Sequence, residues 1–259
     1  MSELLNKLYL NAKVAASPAA MDNVPAEAVV FAPPGGKKFL LGIRADYSAA
    51  VAGVKAVTVK KLAPFSDGVL NTSTLAIGTG PTTLSSTAFS YLIGTAAYSK
   101  AAVATGIALA AGTIPINKWG IYRVQIDAAG TISTLAGAAN FTTGYDDEAA
   151  AIAALPAVAA NNISMGYVAV LTAVGSAFVG GTDALQGGAG GNPSSDTNYY
   201  STAALTTTTV ATFRQTFAAG YADIAIPTTI NGINGDSWVV ELDASGAGST
   251  TGRVHVFYV

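Results

Sequence analysis

The sequence contains a cluster of three consecutive acidic residues that are candidates for catalysis or metal binding: Asp146, Asp147 and Glu148. Paired carboxylates catalyse glycoside hydrolysis, and clustered carboxylates bind divalent cations. Consecutive residues of a helix do not converge on one point, however, whereas acidic side chains in a first helical turn interact favourably with the helix dipole. We therefore expect these residues to begin a short helix that ends near Leu155, before Pro156, and we assign no metal ligand.

His255 is the only histidine and the second candidate for catalysis. A catalytic triad needs a histidine base beside a positioned serine, and no G-x-S-x-G nucleophile elbow occurs in the chain. The histidine alternates with valines in "RVHVFYV", which predicts a residue on the polar face of a strand. Cysteine is absent, which excludes thiol nucleophiles and thiolate metal sites. The sequence therefore predicts no catalytic residue, and we expect the protein not to be an enzyme.

Two glycine-rich stretches, residues 78–87 and 187–192, could in principle bind the phosphate groups of a cofactor. The first lacks the terminal G-K-[ST] of a phosphate loop, and the second does not fit G-x-G-x-x-G. Basic residues occur as isolated pairs, at 37–38 and 60–61, without the interleaved aromatic side chains of a nucleic-acid-binding stripe. We predict no cofactor and no nucleic-acid partner.

The elements that would position functional side chains are clearest in residues 118–134, "KWGIYRVQIDAAGTIST". Alternation followed by the turn sequence at 127–130 predicts a β-hairpin. Its large apolar side chains share one face: Tyr122, Val124 and Ile126. Arg123 and Gln125 lie on the other face. We interpret this hairpin as structural framework, followed by the short helix and by a buried strand over 164–172.

Further alternating segments predict a mainly β protein, with an antiparallel β-sandwich or barrel-like domain, one or two short helices and a smaller C-terminal β unit. The high glycine content after residue 180 predicts a connector. The predicted division has an N-terminal helix or arm over 1–27, a main β-rich domain over 28–185, a connector over 186–200 and a C-terminal β domain over 201–259.

Charged residues make up only 11% of the chain, and its mean hydropathy is +0.43. Ordinary globular domains contain roughly 25% charged residues. Such a chain is either embedded in a membrane or covered by neighbouring subunits. Glycine, proline and asparagine interrupt the apolar runs before they reach the roughly 20 residues that a spanning helix needs, and the first residues form no signal peptide. We therefore expect a protein that assembles, without a membrane partner.

Residues 111–200 resemble a module in structural proteins of tailed bacteriophages, which include head fibres, capsid decoration proteins and tail-fibre-like components. The resemblance is carried by the strand around Trp119, the turn at 127–130, the alanine-rich helix that ends at Pro156, and the "GYVAV" strand followed by "GGTD" at 180–183. These are framework residues and include no active site. The resemblance implies a virion protein that is made in the host cytoplasm.

The function implied by this resemblance is that of a non-enzymatic structural component of a phage virion, in the first place a capsid-surface decoration protein or head fibre. We expect a homo-oligomer, for which a trimer is one candidate, with the major capsid protein or other virion proteins as partners. Basic residues concentrate in 1–62 and acidic residues in 101–259, so we expect an N-terminal anchor and a projecting C-terminal part. The candidate anchor residues are Leu4, Leu5, Lys7, Leu8 and Lys13.

A tail-fibre-like protein that binds a receptor or a host surface glycan is the alternative function. Its sites would be exposed aromatic side chains in the C-terminal part of the chain: Tyr199, Tyr200, Tyr221 and Trp238. A third hypothesis, a polysaccharide depolymerase, needs a pair of carboxylates facing one groove, which the sequence does not specify. The position of the chain on the particle distinguishes the first two hypotheses.

Overall fold

The computed structural model describes residues 13–16, 26–30, 40–47, 54–62, 66–94, 96–186, 194–216, 220–225, 237–242 and 252–258. One helix lies in these residues, α1, Glu148–Ala153. The strands, in chain order, are β1 Lys13–Ala16, β2 Ala26–Val30, β3 Leu40–Tyr47, β4 Val54–Leu62, β5 Gly68–Val69, β6 Leu75–Ile77, β7 Thr83–Ser86, β8 Phe89–Ile93, β9 Ala96–Lys100, β10 Val103–Ala108, β11 Thr113–Ile114, β12 Trp119–Asp127, β13 Ile132–Ala136, β14 Asn162–Thr172, β15 Phe178–Val179, β16 Ser194–Ser201, β17 Thr207–Thr216, β18 Gly220–Ala225, β19 Ser237–Leu242 and β20 Gly252–Tyr258.

The protein is mainly β, with several antiparallel sheets, as the alternating sequence predicts. The strand β4 shows the cause. Val57 and Val59 are fully buried, whereas Thr58 and Lys60 between them are partly exposed. Successive side chains of a strand point to opposite faces, so this alternation buries the valines on one face of the sheet.

The chain divides into two compact units that are not consecutive in sequence. Unit 1 consists of Met1–Asp67, Ser90–Ala101 and Leu205–Val259, and unit 2 consists of Gly68–Phe89 and Ala102–Ala204. Each unit therefore combines segments that are distant along the chain.

Unit 1 contains two four-stranded antiparallel sheets, in the orders β1-β20-β3-β18 and β17-β4-β19-β2. The C-terminal strands pair directly with N-terminal ones, for example β17 and β19 with β4 on its two sides. An ion pair of 2.6 Å between Lys60 and Glu241 connects the neighbouring strands β4 and β19. The buried apolar side chains of these sheets are Ile43, Val57, Val59, Leu62, Trp238, Val239, Val240, Leu242 and Val256.

Unit 2 contains a four-stranded sheet in the order β13-β12-β14-β16 and a three-stranded sheet in the order β10-β7-β6. The edge strand β6 contacts β16, and the opposite edge strand β10 contacts β13. The Leu75 N–H donates to the Ser201 hydroxyl at the first junction, and the Thr134 hydroxyl donates to the Ala108 carbonyl at the second. The two sheets therefore meet at both edges and form a barrel-like unit, whose four-stranded sheet has an inner and an outer face.

The hairpin and the helix predicted in unit 2 are confirmed. The strands β12 and β13 pair from Tyr122↔Ala136 to Ile126↔Ile132, and the tight turn between them lies within residues 127–131. The apolar side chains predicted to share one face are fully buried: Tyr122, Val124 and Ile126. The opposite face is covered as well, because Gln125 is only 3% exposed.

The predicted domain division differs from the observed units. The segment 201–259 does not form a C-terminal β domain of its own, because its strands pair with β2, β3 and β4 of the N-terminal segment. Within the predicted connector, residues 194–200 belong to β16, which pairs with β14 along its length. The high glycine content predicted the connector. The hydrogen bonds between β16 and β14 nevertheless extend the sheet into its last residues.

Within the helix or arm predicted over 1–27, residues 13–16 form the strand β1, so the helix alternative is wrong for these four residues. This strand pairs with β20, from Lys13↔Tyr258 to Ala16↔His255. The strands β1 and β20, from the two ends of the chain, therefore lie side by side in one sheet of unit 1. The division into an N-terminal anchor and a projecting C-terminal part stays a prediction.

Candidate functional site

The outer face of the sheet β13-β12-β14-β16 carries a row of polar and aromatic side chains. Arg123 of β12 pairs with Tyr167 of β14, which in turn pairs with Tyr200 of β16. Directly opposite residues of antiparallel strands point to the same face, so the three side chains lie side by side. All three are partly exposed. We call Arg123, Tyr167 and Tyr200 the tyrosine row.

The two tyrosine rings of this row stack on each other. Their centroids are 4.5 Å apart, and their planes are inclined by 18°, within the range of attractive ring pairs. Gly166 allows the close approach of the strands below them. Its φ is +147°, and a β-carbon at this position would lie 2.0 Å from the Tyr200 carbonyl oxygen. Only glycine fits there without displacing β16 and, with it, the Tyr200 ring.

The helix α1 places Glu148 at one end of the tyrosine row. Asp147 caps the helix by accepting the Ala150 N–H at 2.7 Å. Glu148, the first helical residue, accepts the Tyr200 hydroxyl at 2.9 Å and the Asn198 side-chain amide at 2.8 Å, both on Oε1. Its other oxygen, Oε2, has no hydrogen-bond partner among the described residues. One carboxylate oxygen is therefore left to accept a hydrogen bond from outside.

The three acidic residues do separate, as the helix prediction requires. Asp146 forms an ion pair with Lys118, Asp147 caps α1, and only Glu148 faces the tyrosine row. They do not form a paired catalytic site or a cation site. Among the residues that the structure describes, no group of three or more histidine or acidic side chains could hold a metal ion.

Arg123 and Gln125 hold the segment between α1 and β14, residues 154–161, against the other side of the outer face. The Arg123 Nε donates to the Pro156 carbonyl, and its Nη1 donates to the Ser164 hydroxyl at 3.0 Å. The Gln125 side-chain oxygen accepts the Ala159 N–H at 2.9 Å. These two polar residues thus have structural partners that their alternation in the sequence did not reveal.

Asn140 supports the same sheet from a loop and was not identified as important from the sequence. Its side chain is fully buried, donates to the Ile121 carbonyl at 2.9 Å and accepts the Ile121 N–H at 2.9 Å. The amide thereby satisfies the β12 backbone just beyond Ala136, where the partner strand β13 ends. No local sequence pattern could have indicated this contact, because it joins residues 19 positions apart.

A second surface of unit 2 is apolar and lies on two loops. Ile116, between β11 and β12, is 52% exposed, and Val174, after β14, is 78% exposed. The loops touch, because the Asn117 N–H donates to the Ala173 carbonyl at 3.2 Å. The buried Thr172 hydroxyl also donates to the Pro115 carbonyl at 2.7 Å. We call Ile116 and Val174 the apolar loop patch.

The pKa shifts near the tyrosine row follow from its contacts. The pKa of Tyr200 is raised, mainly because its hydroxyl donates to Glu148 and additionally by burial. Burial raises the pKa of Tyr199 to about 12 and lowers the pKa of Arg123. Both tyrosines therefore remain protonated at neutral pH, and only the Tyr200 hydroxyl donates a hydrogen bond, to Glu148.

The predicted exposed aromatic residues have different positions. Tyr200 is partly exposed and belongs to the tyrosine row. Trp238 contradicts the prediction, because it is 2% exposed in unit 1, where both faces of β19 are covered. Tyr199 is partly buried, and its hydroxyl is inaccessible. Tyr221 lies in β18, outside the residues whose side chains the structure describes.

The predicted anchor residues are mostly not placed. Leu4, Leu5, Lys7 and Leu8 lie outside the described residues, and Lys13 lies in β1. His255 is in β20, opposite Arg44 of β3, as its alternation with valines predicts. Among the described residues, no helix is long and apolar enough to cross a lipid bilayer.

Comparison of the chain with models of protein families, with curated proteins and with solved structures finds no match.

Proposed function

We propose that the protein is a non-enzymatic structural component of a phage virion, a capsid-surface decoration protein or head fibre that assembles as a homo-oligomer. The observation that carries the assembly part is the apolar loop patch. Two large aliphatic side chains, 52% and 78% exposed, lie on two loops of unit 2 that are joined by a backbone hydrogen bond. Association of subunits removes such apolar surface from water, which is the dominant favourable contribution to most protein–protein association.

The patch is held in place before any partner binds. Thr172 is buried, and its hydroxyl contacts the carbonyls of Pro115 and Lys118 while accepting the Lys118 N–H. The loop carrying Ile116 is thereby fixed to the end of β14. A preorganised surface loses less conformational entropy on association than a mobile one, which favours a role as a permanent contact between subunits.

The phage assignment is supported by the resemblance of residues 111–200, which all lie in unit 2. The low charge of the chain also supports an assembled state, because interface cores are depleted in charged residues. We take a second copy of this chain as the occupant of the patch. A closed symmetric oligomer repeats one such contact in every subunit and conceals the patch from solvent.

The assembly is tested by measuring molar mass by light scattering during size exclusion. We expect the wild type to elute as a homo-oligomer and Ile116→Asp and Val174→Asp to dissociate, because a carboxylate buried in an apolar interface loses its hydration. Val210→Asp is the matched control, since Val210 is 43% exposed on β17 of unit 1. Unchanged mass in both patch variants, or a monomeric wild type, would contradict the proposal.

The virion location is tested separately by immunogold labelling of purified phage particles that carry the encoding gene. Label on the head supports a decoration protein or head fibre. Label on the tail favours the tail-fibre-like alternative, and absence of the chain from particles contradicts both.

A further inference from the structure

We infer that the tyrosine row and the polar groups around it form a binding site for an uncharged oligosaccharide. This inference is independent of subunit assembly, because it concerns the outer face of the unit 2 sheet and not the apolar loop patch. The site consists of Arg123, Glu148, Tyr167, Asn198 and Tyr200, which are all partly exposed.

The stacked rings provide the apolar part of the site. Each tyrosine covers one face of the other. Both rings also pack against the buried side chains of Ile121, Ala151 and Ala169, and the remaining part of each ring is exposed. Sugars present C–H groups on the faces of the pyranose ring and hydroxyls around its edge. Aromatic side chains with one apolar side and one polar tip bind such amphipathic ligands with little loss of side-chain entropy.

Unused hydrogen-bonding groups flank the rings on both sides. Glu148 Oε2 and the Asn198 side-chain oxygen accept no hydrogen bond from the described residues, although Glu148 Oε1 accepts two. On the other side, Arg123 uses two of its donors on Pro156 and Ser164, and a guanidinium has about five in all. The Tyr167 hydroxyl also has no partner in the part of the chain that the structure describes. Acceptors and donors therefore converge on one surface.

The dimensions and charge favour an uncharged saccharide of two or more rings. The row spans three strands, β12, β14 and β16, hence two strand spacings or about 10 Å, which is close to the length of a disaccharide. Of the five side chains that form the site, one is cationic and one is anionic, Arg123 and Glu148 at opposite ends, so these five residues carry no net charge. A polyhydroxylated ligand can donate to the carboxylate and accept from the guanidinium, whereas a charged one is repelled at one end.

Among the side chains that the structure describes, Glu148 has no unengaged second carboxylate beside it. A glycoside hydrolase needs a second carboxylate within about 5–10 Å of the first. The neighbouring acids are otherwise engaged, since Asp146 pairs with Lys118 and Asp147 caps α1. The site is therefore suited to binding without cleavage.

The test is titration of the full-length protein with four tetrasaccharide probes: maltotetraose, cellotetraose, chitotetraose and mannotetraose. Intrinsic fluorescence reports binding, because Trp119 packs against the same cluster as Tyr167 and Tyr200. We expect at least one probe to bind with Kd of about 1 mM or tighter. No response to any probe at about 10 mM would overturn the inference.

Variants then locate the site. Tyr167→Ala should weaken binding of the active probe at least 10-fold, and Glu148→Gln several-fold, since the amide keeps the shape but loses the charge-assisted hydrogen bond. Tyr98→Ala is the matched control, because Tyr98 stacks on Tyr91 in unit 1 with centroids 5.4 Å apart. Equal loss in Tyr98→Ala, or none in the Tyr167 and Glu148 variants, would overturn the assignment.

Two further measurements separate this inference from loss of structure and from assembly. Tyr167→Phe keeps the stacked ring and should retain most of the affinity, so it reports on the site even if Tyr167→Ala unfolds. Ile116→Asp should bind the probe like the wild type. If assembly fails but binding persists, only the proposed function is contradicted, and the converse result contradicts only the saccharide site.

Discussion

The inner and outer faces of one sheet in unit 2 differ sharply in chemistry, although the same strands build both. On the inner face Tyr122, Val124 and Val168 are fully buried. On the outer face the intervening residues Arg123 and Tyr167 are partly exposed, and Arg123 donates to the Ser164 hydroxyl. The inner face stabilises the fold. The outer face also contains buried side chains, Ile121 and Ala169 beneath α1, but it leaves the tyrosine row partly exposed.

The neighbouring residues Tyr199 and Tyr200 show this difference within one dipeptide. Tyr199 pairs with Val168 on the inner face, and its hydroxyl is buried without a hydrogen-bond partner. Tyr200 pairs with Tyr167 on the outer face, and its hydroxyl donates to Glu148. The same side chain thus buries an unsatisfied polar group on one face and completes a polar network on the other.

The largest expected effect comes from placing a charge on each face. Val168→Asp should abolish folding, because an unpaired carboxylate in the interior costs several kcal/mol, comparable to the whole stability of a domain. Tyr167→Asp, on the adjacent outer position, should remain folded with a loss of about 1–2 kcal/mol from the lost ring contacts. Urea unfolding followed by circular dichroism measures both.

Equal stability of Val168→Asp and Tyr167→Asp would contradict the assignment of these residues to a buried inner face and a partly exposed outer face. A matched control for the substitution itself is Ala104→Asp on the edge strand β10, where the side chain is exposed and a carboxylate keeps its hydration.

The second largest effect on stability is expected from removing Asn140, the loop side chain that supports the strand β12. Asn140→Ala should destabilise the protein by about 1–3 kcal/mol, because it leaves the buried Ile121 N–H without its acceptor. The Ile121 carbonyl retains the Gly137 N–H at 2.8 Å, so the loss is limited to one group and the space that the amide filled. The unfolding midpoint in urea gives the difference.

Asn198→Ala provides the comparison from the outer face. It removes a partly exposed side chain that contacts Glu148, and we expect a loss below about 1 kcal/mol because water replaces the amide. A larger loss for Asn198→Ala than for Asn140→Ala would contradict the division into a supporting and a recognising surface.

The third expected effect is a change in stability of opposite sign at the adjacent residues Tyr199 and Tyr200. Tyr199→Phe should stabilise the protein by up to about 1 kcal/mol, because it removes a buried hydroxyl without a partner. Tyr200→Phe should destabilise it by about 1 kcal/mol, because Glu148 loses a hydrogen bond while the ring is kept. Thermal unfolding of the two single variants and of the double variant measures these values, and equal signs would contradict the face assignment.

The hairpin and the helix of unit 2 could be predicted from the sequence. Alternation around Val124 and Ile126 predicted the hairpin, and three acids before an alanine run predicted α1, because strand and helix periodicity are local properties. The domain division was not predictable in the same way. Pairing of β17 with β4 joins residues about 150 positions apart in the chain, and such a contact leaves no local pattern.

The candidate site was only partly predictable for the same reason. Tyr200 was identified as an aromatic residue of interest, but its stacking partner Tyr167 reads as part of a buried strand in "GYVAV". The partial exposure of Tyr167 depends on β16 and α1 meeting beside it. Trp238 was predicted to be exposed because aromatic composition does not reveal that β19 is an inner strand, between β2 and β4, with buried side chains.

The smallest expected effect is a loss of stability in alkaline solution, arising from the two tyrosines on opposite faces. Their pKa values are raised in the folded protein, that of Tyr199 to about 12 by burial and that of Tyr200 mainly by Glu148. The folded state therefore holds these protons more tightly than the unfolded state, whose tyrosines titrate near pH 10. Stability is unaffected by these groups below about pH 10 and falls as pH rises through the folded pKa.

Thermal unfolding midpoints between pH 9 and pH 11.5 measure this loss, and Tyr199→Phe should show a shallower decline than the wild type. Tyr98→Phe is the control, since Tyr98 is a stacked tyrosine outside this sheet. If stability declines as steeply in Tyr199→Phe as in the wild type, then burial on the inner face does not raise the pKa of the Tyr199 hydroxyl. Such a result would remove the electrostatic part of the difference between the two faces and leave only the packing part.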